Sequence, residues 1–201
     1  MAPYRPPEQI FDEAFPRQVQ RAILRVTTMG FHEAHRSVRQ RFDYYAGHDL
    51  LPYERRAYVE NNLLGLAKRY KLTRPTPQLN KARNSFHVEL LSGGCVLTAS
   101  AVESRGEMVR HAIFRETLAR HRQGQLFNQE PDAAPGATLY GIILYGAPDK
   151  DDNQSFPGFV VVAFPDRFCE RYVSEVDLMS RFRAEHAEHV QVLLRRRRDL
   201  A

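Results

Sequence analysis

The spacing of hydrophobic residues changes along this chain, and each change predicts a different kind of element. From Pro16 to about Lys71 the apolar positions recur every three or four residues. In "PRQVQRAILRVTTMG", Val19, Ala22, Ile23 and Val26 form one stripe, Pro16 suits a first helical position and Gly30 suits a C-terminal cap. A second helix is expected over "FHEAHRSVRQRFDYYAG", with Phe31, Ala34, Val38, Phe42 and Tyr45 on one face and a stop at Gly47. A third, "PYERRAYVENNLLGLAKRYK", opens at Pro52 and turns Val59, Leu63, Leu66 and Tyr70 inward. The stretch "LTRPTPQLNKARN" has two prolines and no period, so it reads as a connector.

The period then becomes two. With Gly93-Gly94 as a two-residue turn, "SFHVELLSGGCVLTAS" folds on itself so that Leu90 faces Leu97, Val88 faces Ala99 and Phe86 faces Ala101. Those pairs share an apolar face. The other face sets Glu89 against Thr98 and His87 against Ser100 and is expected to be solvated; the register is expected to hold, since a one-residue slip would mix the two sets. "SRGE" reads as a capping box opening a helix that ends near Gly124 and buries Val109, Ile113, Phe114, Thr117 and Leu118. "TLYGIILYG" and "GFVVVAF" are near-continuous apolar runs, the mark of strands covered on both faces. A last helix is expected from Ser174, with "HVQVLL" as its end or a short strand. The order argues an α+β fold: an N-terminal helical lobe of about three helices (1–75), then a mostly antiparallel four- to five-stranded sheet backed by two helices (84–201), as two units or one compact domain.

At 201 residues and 43% hydrophobic composition the chain can bury a sizeable core. No apolar run approaches a membrane span, and "MAPYRPPEQIFDEAF" lacks a signal-peptide core, so a cytoplasmic protein without a membrane partner is expected. Two cysteines, Cys95 and Cys169, make neither a disulfide framework nor a four-thiolate zinc site. Charge alters this picture more than composition does. The net +5 is concentrated in residues 1–82, where fourteen Lys/Arg face eight Asp/Glu.

Arginine outnumbers lysine, and it is the better partner for phosphate or carboxylate. Arg17, Arg21 and Arg25 repeat at i, i+4 and i+8, a stripe of like charges that calls for anions or acidic neighbours. Arg36 and Arg39 lie one turn apart on the next helix, and Arg55, Arg56, Arg115 and Arg122 extend the basic set. Tyr44, Tyr45, Tyr53 and Tyr58 are interleaved with it, as base-stacking side chains would be.

His87, Glu89 and Ser100 are the candidate catalytic residues, an acid–base pair beside a hydroxyl, although no Asp/Glu-x-Lys strand motif follows Glu89. His32/His35 and His186/His189 have i, i+3 spacing without a third ligand, and "HEAH" is one residue short of a zinc-protease helix. "DKDDNQSFPGFV" has Asp149, Asp151 and Asn153 in alternate positions but puts Gln154 where a calcium loop needs Gly and Val160 where it needs Glu. No metal and no cofactor is expected, and the common nucleotide-binding and nucleophile-elbow motifs are absent. The expected function is nucleic-acid binding, DNA or RNA, through phosphate contacts by a regulatory or accessory protein. The alternatives are an adaptor or inhibitor that docks an acidic protein, and a metal-independent nuclease or hydrolase using His87 and Glu89.

Overall fold

A computed structural model describes residues 5–72, 78–79, 86–127, 139–149 and 153–198. Three helices lead: α1 (Pro7–Ala14), α2 (Arg17–Arg41) and α3 (Tyr44–Arg69). Their boundaries correct the sequence expectation. α1 arises in the stretch read only for its lack of a signal core, and it buries Ile10, Phe11 and Ala14. Gly30 and Gly47 end nothing. α2 runs through Gly30, because a Cβ there would stand 2.8 Å from the Val59 side chain and 2.9 Å from its backbone nitrogen. At Gly47 a Cβ would lie 2.8 Å from Val38. These glycines let α2 and α3 approach as an antiparallel pair. The true break falls at Phe42 and Asp43, where the Asp43 carboxylate accepts the Ala46 N–H at 3.1 Å and caps α3.

The strands are β1 (Gln78–Leu79), β2 (Phe86–His87), β3 (Leu90–Ser92), β4 (Cys95–Ala101), β5 (Leu139–Gly146), β6 (Phe159–Pro165) and β7 (Tyr172–Asp177). β1 and β2 form a small antiparallel pair, and the others make a five-stranded sheet in the order β3-β4-β5-β6-β7. The sheet is mixed, because β4 and β5 run parallel while the other neighbours are antiparallel. A parallel pair needs a long crossover, and α4 (Ile113–Phe127) lies within it.

Gly93 and Gly94 take φ of +52° and +81°, the primed turn expected, and Leu90 pairs with Leu97. The ladder stops at Leu90, however. Phe86 and His87 pair with β1 rather than with the strand end near Ser100. "SRGE" also behaves differently: Glu107 accepts the N–H groups of Glu103 and Ser104 at 2.9 and 3.1 Å, yet it closes a turn at Gly106, and α4 begins only at Ile113. Ile113 and Thr117 are exposed, and Ala119 is the buried contact instead. Residues 172–177 form a strand, and "HVQVLL" lies within α6 (Arg183–Arg198), which follows the short α5 (Leu178–Arg181).

Two hydrophobic clusters sit on opposite faces of the sheet. Leu97, Ala99, Ile143, Tyr145, Val162 and Phe164 face α1, α2 and α3. Val96, Tyr140, Ile142, Leu144, Val161 and Ala163 face α4 and the segment at Val109. The second cover overturns the expected solvated hairpin face, since Thr98 and His87 are buried beneath it. Among the described residues no helix is long and apolar enough to cross a membrane.

Candidate acid–base site

The C-terminal ends of β4 and β5 meet the middle of α3 and the first turn of α4, and a polar cluster fills that junction. Glu60 enters from α3, one residue beyond the buried Val59 and one turn after Arg56. Its carboxylate accepts the Val88 N–H at 2.8 Å, so α3 is tied to the segment between β2 and β3. Burial pushes the Glu60 carboxyl up to about 7, against the opposing pull of that hydrogen bond and of Arg56, His87 and Arg115.

His87 lies 6% exposed, its ring stacked on Phe114 with centroids 3.9 Å apart and planes 16° from parallel. Its Nε2 is 3.2 Å from Glu89 Oε1. Its Nδ1 is buried and has no hydrogen-bond partner among the described residues. With the Nε2 proton given to Glu89, the ring keeps a lone pair at Nδ1, the arrangement in which a carboxylate orients a histidine base. Arg115 donates to Ser100 Oγ at 3.1 Å and to the Arg110 carbonyl at 2.9 Å, and its guanidinium lies 5.0 Å from the Phe114 ring. Arg56 Nη2 is 3.4 Å from the Phe86 carbonyl.

Two phenols complete the surroundings. Tyr145 has a buried hydroxyl without a partner among the described residues, and burial, then the charge of Glu60, holds its proton on. Tyr140 shares a 2.8 Å hydrogen bond with Thr98. Among the described residues no three His, Cys, Asp or Glu side chains are placed to hold one metal ion.

The cluster thus joins His87, Glu89, Ser100, Arg56 and Arg115 from the sequence reading. The sequence reading missed Glu60 and Tyr145. An acidic residue flanking the buried stripe of a helix, one turn from an arginine, was the available signal for Glu60. Tyr145 looked like one more apolar strand residue.

The remaining arginines lie elsewhere. Arg17 and Arg21 flank the Phe182 ring at 5.4 and 5.5 Å, and Arg21 pairs with Glu185 at 3.1 Å, so an acidic neighbour already answers part of that stripe. Arg25, Arg36 and Arg39 are exposed and have no ion pair among the described residues. Arg55 is no surface residue. It is buried 4.7 Å over Phe31, gives two hydrogen bonds to Gln154 (2.6 and 3.1 Å), and is lowered to about 10 by burial. The Arg122 side chain and Asp151 lie outside the described residues. The stripe on α2 and Arg115 on α4 occupy opposite faces of the sheet, so they do not make one basic surface.

The first histidine pair has other contacts. His32 stacks on Phe156, and His35 Nδ1 is 3.0 Å from Ser155 Oγ. Cys95 is buried in the core, and burial raises the Cys169 thiol to about 11, away from nucleophilic use. Comparison with protein-family models, with curated proteins and with solved structures finds no match to this chain.

Proposed function

We propose that this protein hydrolyses a phosphate ester by metal-independent acid–base catalysis at Glu60 and His87. One observation carries the reading: a half-buried carboxyl and a carboxylate-oriented histidine lie in one cluster between two arginines. His87 Nδ1 takes a proton from the attacking water as the water oxygen bonds to phosphorus, and Glu89 stabilises the imidazolium that forms. The ester P–O bond breaks, and the protonated Glu60 carboxyl gives its proton to the departing oxygen. Arg56 and Arg115 neutralise the phosphoryl oxygens, with Ser100 holding Arg115 in place.

The test is turnover of diphenyl phosphate, a diester without bases whose basic phenoxide (conjugate-acid pKa about 10, as for a tyrosine phenol) needs a proton to leave. Wild type is expected to turn over, with a rate that falls as pH rises through about 7, where Glu60 loses its proton. Glu60→Gln and His87→Asn should each lower the rate by about 100-fold or more, and Glu60→Gln should abolish the pH limb. A wild-type protein without turnover, or variants that match it, refutes the reading.

A second reading, nucleic-acid binding by a regulatory or accessory protein without catalysis, is favoured by Arg25, Arg36 and Arg39, which are exposed and have no ion pair among the described residues. Polyanion binding that weakens when all three become Gln, in a protein with no turnover, selects it.

A further inference from the structure

The exposed side of α3 leads directly into the acid–base cluster. Tyr45, Asp49, Tyr53, Arg56 and Glu60 follow one another at helical spacing, within roughly 80° of arc. Tyr45 is 81% and Tyr53 75% exposed, unusual for aromatic rings of this size. Arg56 lies one turn from Tyr53, and Glu60 one turn beyond it. The stripe's one acidic interruption, Asp49, has His48 Nδ1 at 3.7 Å. The helix lies in the part of the chain that carries the positive excess.

From this we infer that the substrate is a single-stranded nucleic acid, whose bases stack on Tyr45 and Tyr53 while Arg56 receives the backbone phosphate next to the bond to be cut. The inference rests on the phosphate-ester reading above and names its substrate class. Solvated aromatic rings offer π-faces to unpaired bases, and a duplex has none to give them. A protein partner would bury such rings too, so binding of bare oligonucleotides is what separates the two occupants. The two tyrosines stand about 12 Å apart along the helix axis, room for more than one nucleotide between them.

Binding is measured on full-length Glu60→Gln protein, so that no cleavage intervenes, by anisotropy of labelled oligo(dT), oligo(U) and a duplex at low salt. The single strands are expected to bind more tightly than the duplex. Adding Tyr45→Ala with Tyr53→Ala should weaken single-strand binding about tenfold or more, as the loss of one stacked base would. Tyr45→Leu with Tyr53→Leu, which keeps the apolar bulk, should weaken it nearly as much. Arg56→Gln should reduce the slope of log affinity against log salt by about 0.7.

Equal binding of duplex, retained affinity in both tyrosine variants, or no oligonucleotide binding at all overturns the inference. So does self-association that the tyrosine changes abolish in a protein that binds no oligonucleotide. Failure of the hydrolytic reading is distinct, because it shows as absent turnover of the base-free diester by wild type, whatever the binding result.

Discussion

The two faces of the central sheet are built to different rules. The face toward α1, α2 and α3 is dry and aromatic, with Phe11, Phe15, Phe31, Phe164 and Phe182 all buried and Tyr145 presented edge-on to Phe31 at 5.8 Å. The face toward α4 has a smaller apolar cluster that includes hydrogen-bonded polar groups: Thr98 on Tyr140 within it, and Arg115 on Ser100 and His87 on Glu89 beside it. The dry face supplies most of the burial that stabilises the fold. The α4 face can therefore hold polar side chains that cost stability, and Glu60 sits where the two sides meet.

The sharpest way to break this comparison is to excavate the dry face. Phe164→Ala removes a fully buried ring 5.9 Å from Phe11 and should lower unfolding free energy by about 4 kcal/mol in denaturant titration. A loss under 1 kcal/mol would show that the dry face is not the main source of stability.

Next is the proton on Glu60. Its carboxyl is raised from 4.5 to about 7, so the folded protein holds a proton that the unfolded chain releases between those values. The associated stability is complete below about pH 4.5 and is lost as pH rises to about 7, an effect of about 3 kcal/mol. Comparing unfolding of wild type and Glu60→Gln from pH 4.5 to 8 isolates it, and the variant should gain relative stability as pH rises. Parallel pH profiles would place Glu60 in solvent.

The smallest expected effect is on the α4 face. Thr98→Val keeps the shape but removes the buried 2.8 Å hydrogen bond between Thr98 and Tyr140, which should cost about 1 kcal/mol. A neutral result would mean that this hydrogen bond does little to specify the packing of the α4 face.

How much of this was legible depends on the range of the interaction. The Gly93-Gly94 turn set the Leu90–Leu97 register, because a hairpin is determined by a few adjacent residues. The apolar runs of β5 and β6 announced burial on both faces. Gly30 and Gly47 misled, since a glycine that ends a helix and one that admits a neighbouring helix look the same until the neighbour is placed. The burial of His87 was hidden for a similar reason. It depends on Phe114, which reaches the sheet only through the crossover that makes β4 and β5 parallel. His87, Glu89 and Ser100 lie close in sequence, whereas Glu60 comes from another element and nothing local links it to them.

The parallel pairing has a consequence in time. Cys95 must find Leu139, and Ala101 must find Tyr145, each across more than forty intervening residues. The α2–α3 hairpin and the Gly93-Gly94 turn need only local encounters. Loop-closure entropy and contact order therefore place docking of β5 against β4 late in folding. Until that step Tyr145 has no site to occupy and Ser100 lacks its Leu144 neighbour, so a nascent or partly folded chain would present its arginines and exposed tyrosines before the cluster at Glu60 exists. Under the proposed function, affinity for a polyanion would precede the capacity to act on it, and the late β4–β5 pairing is what would set that order.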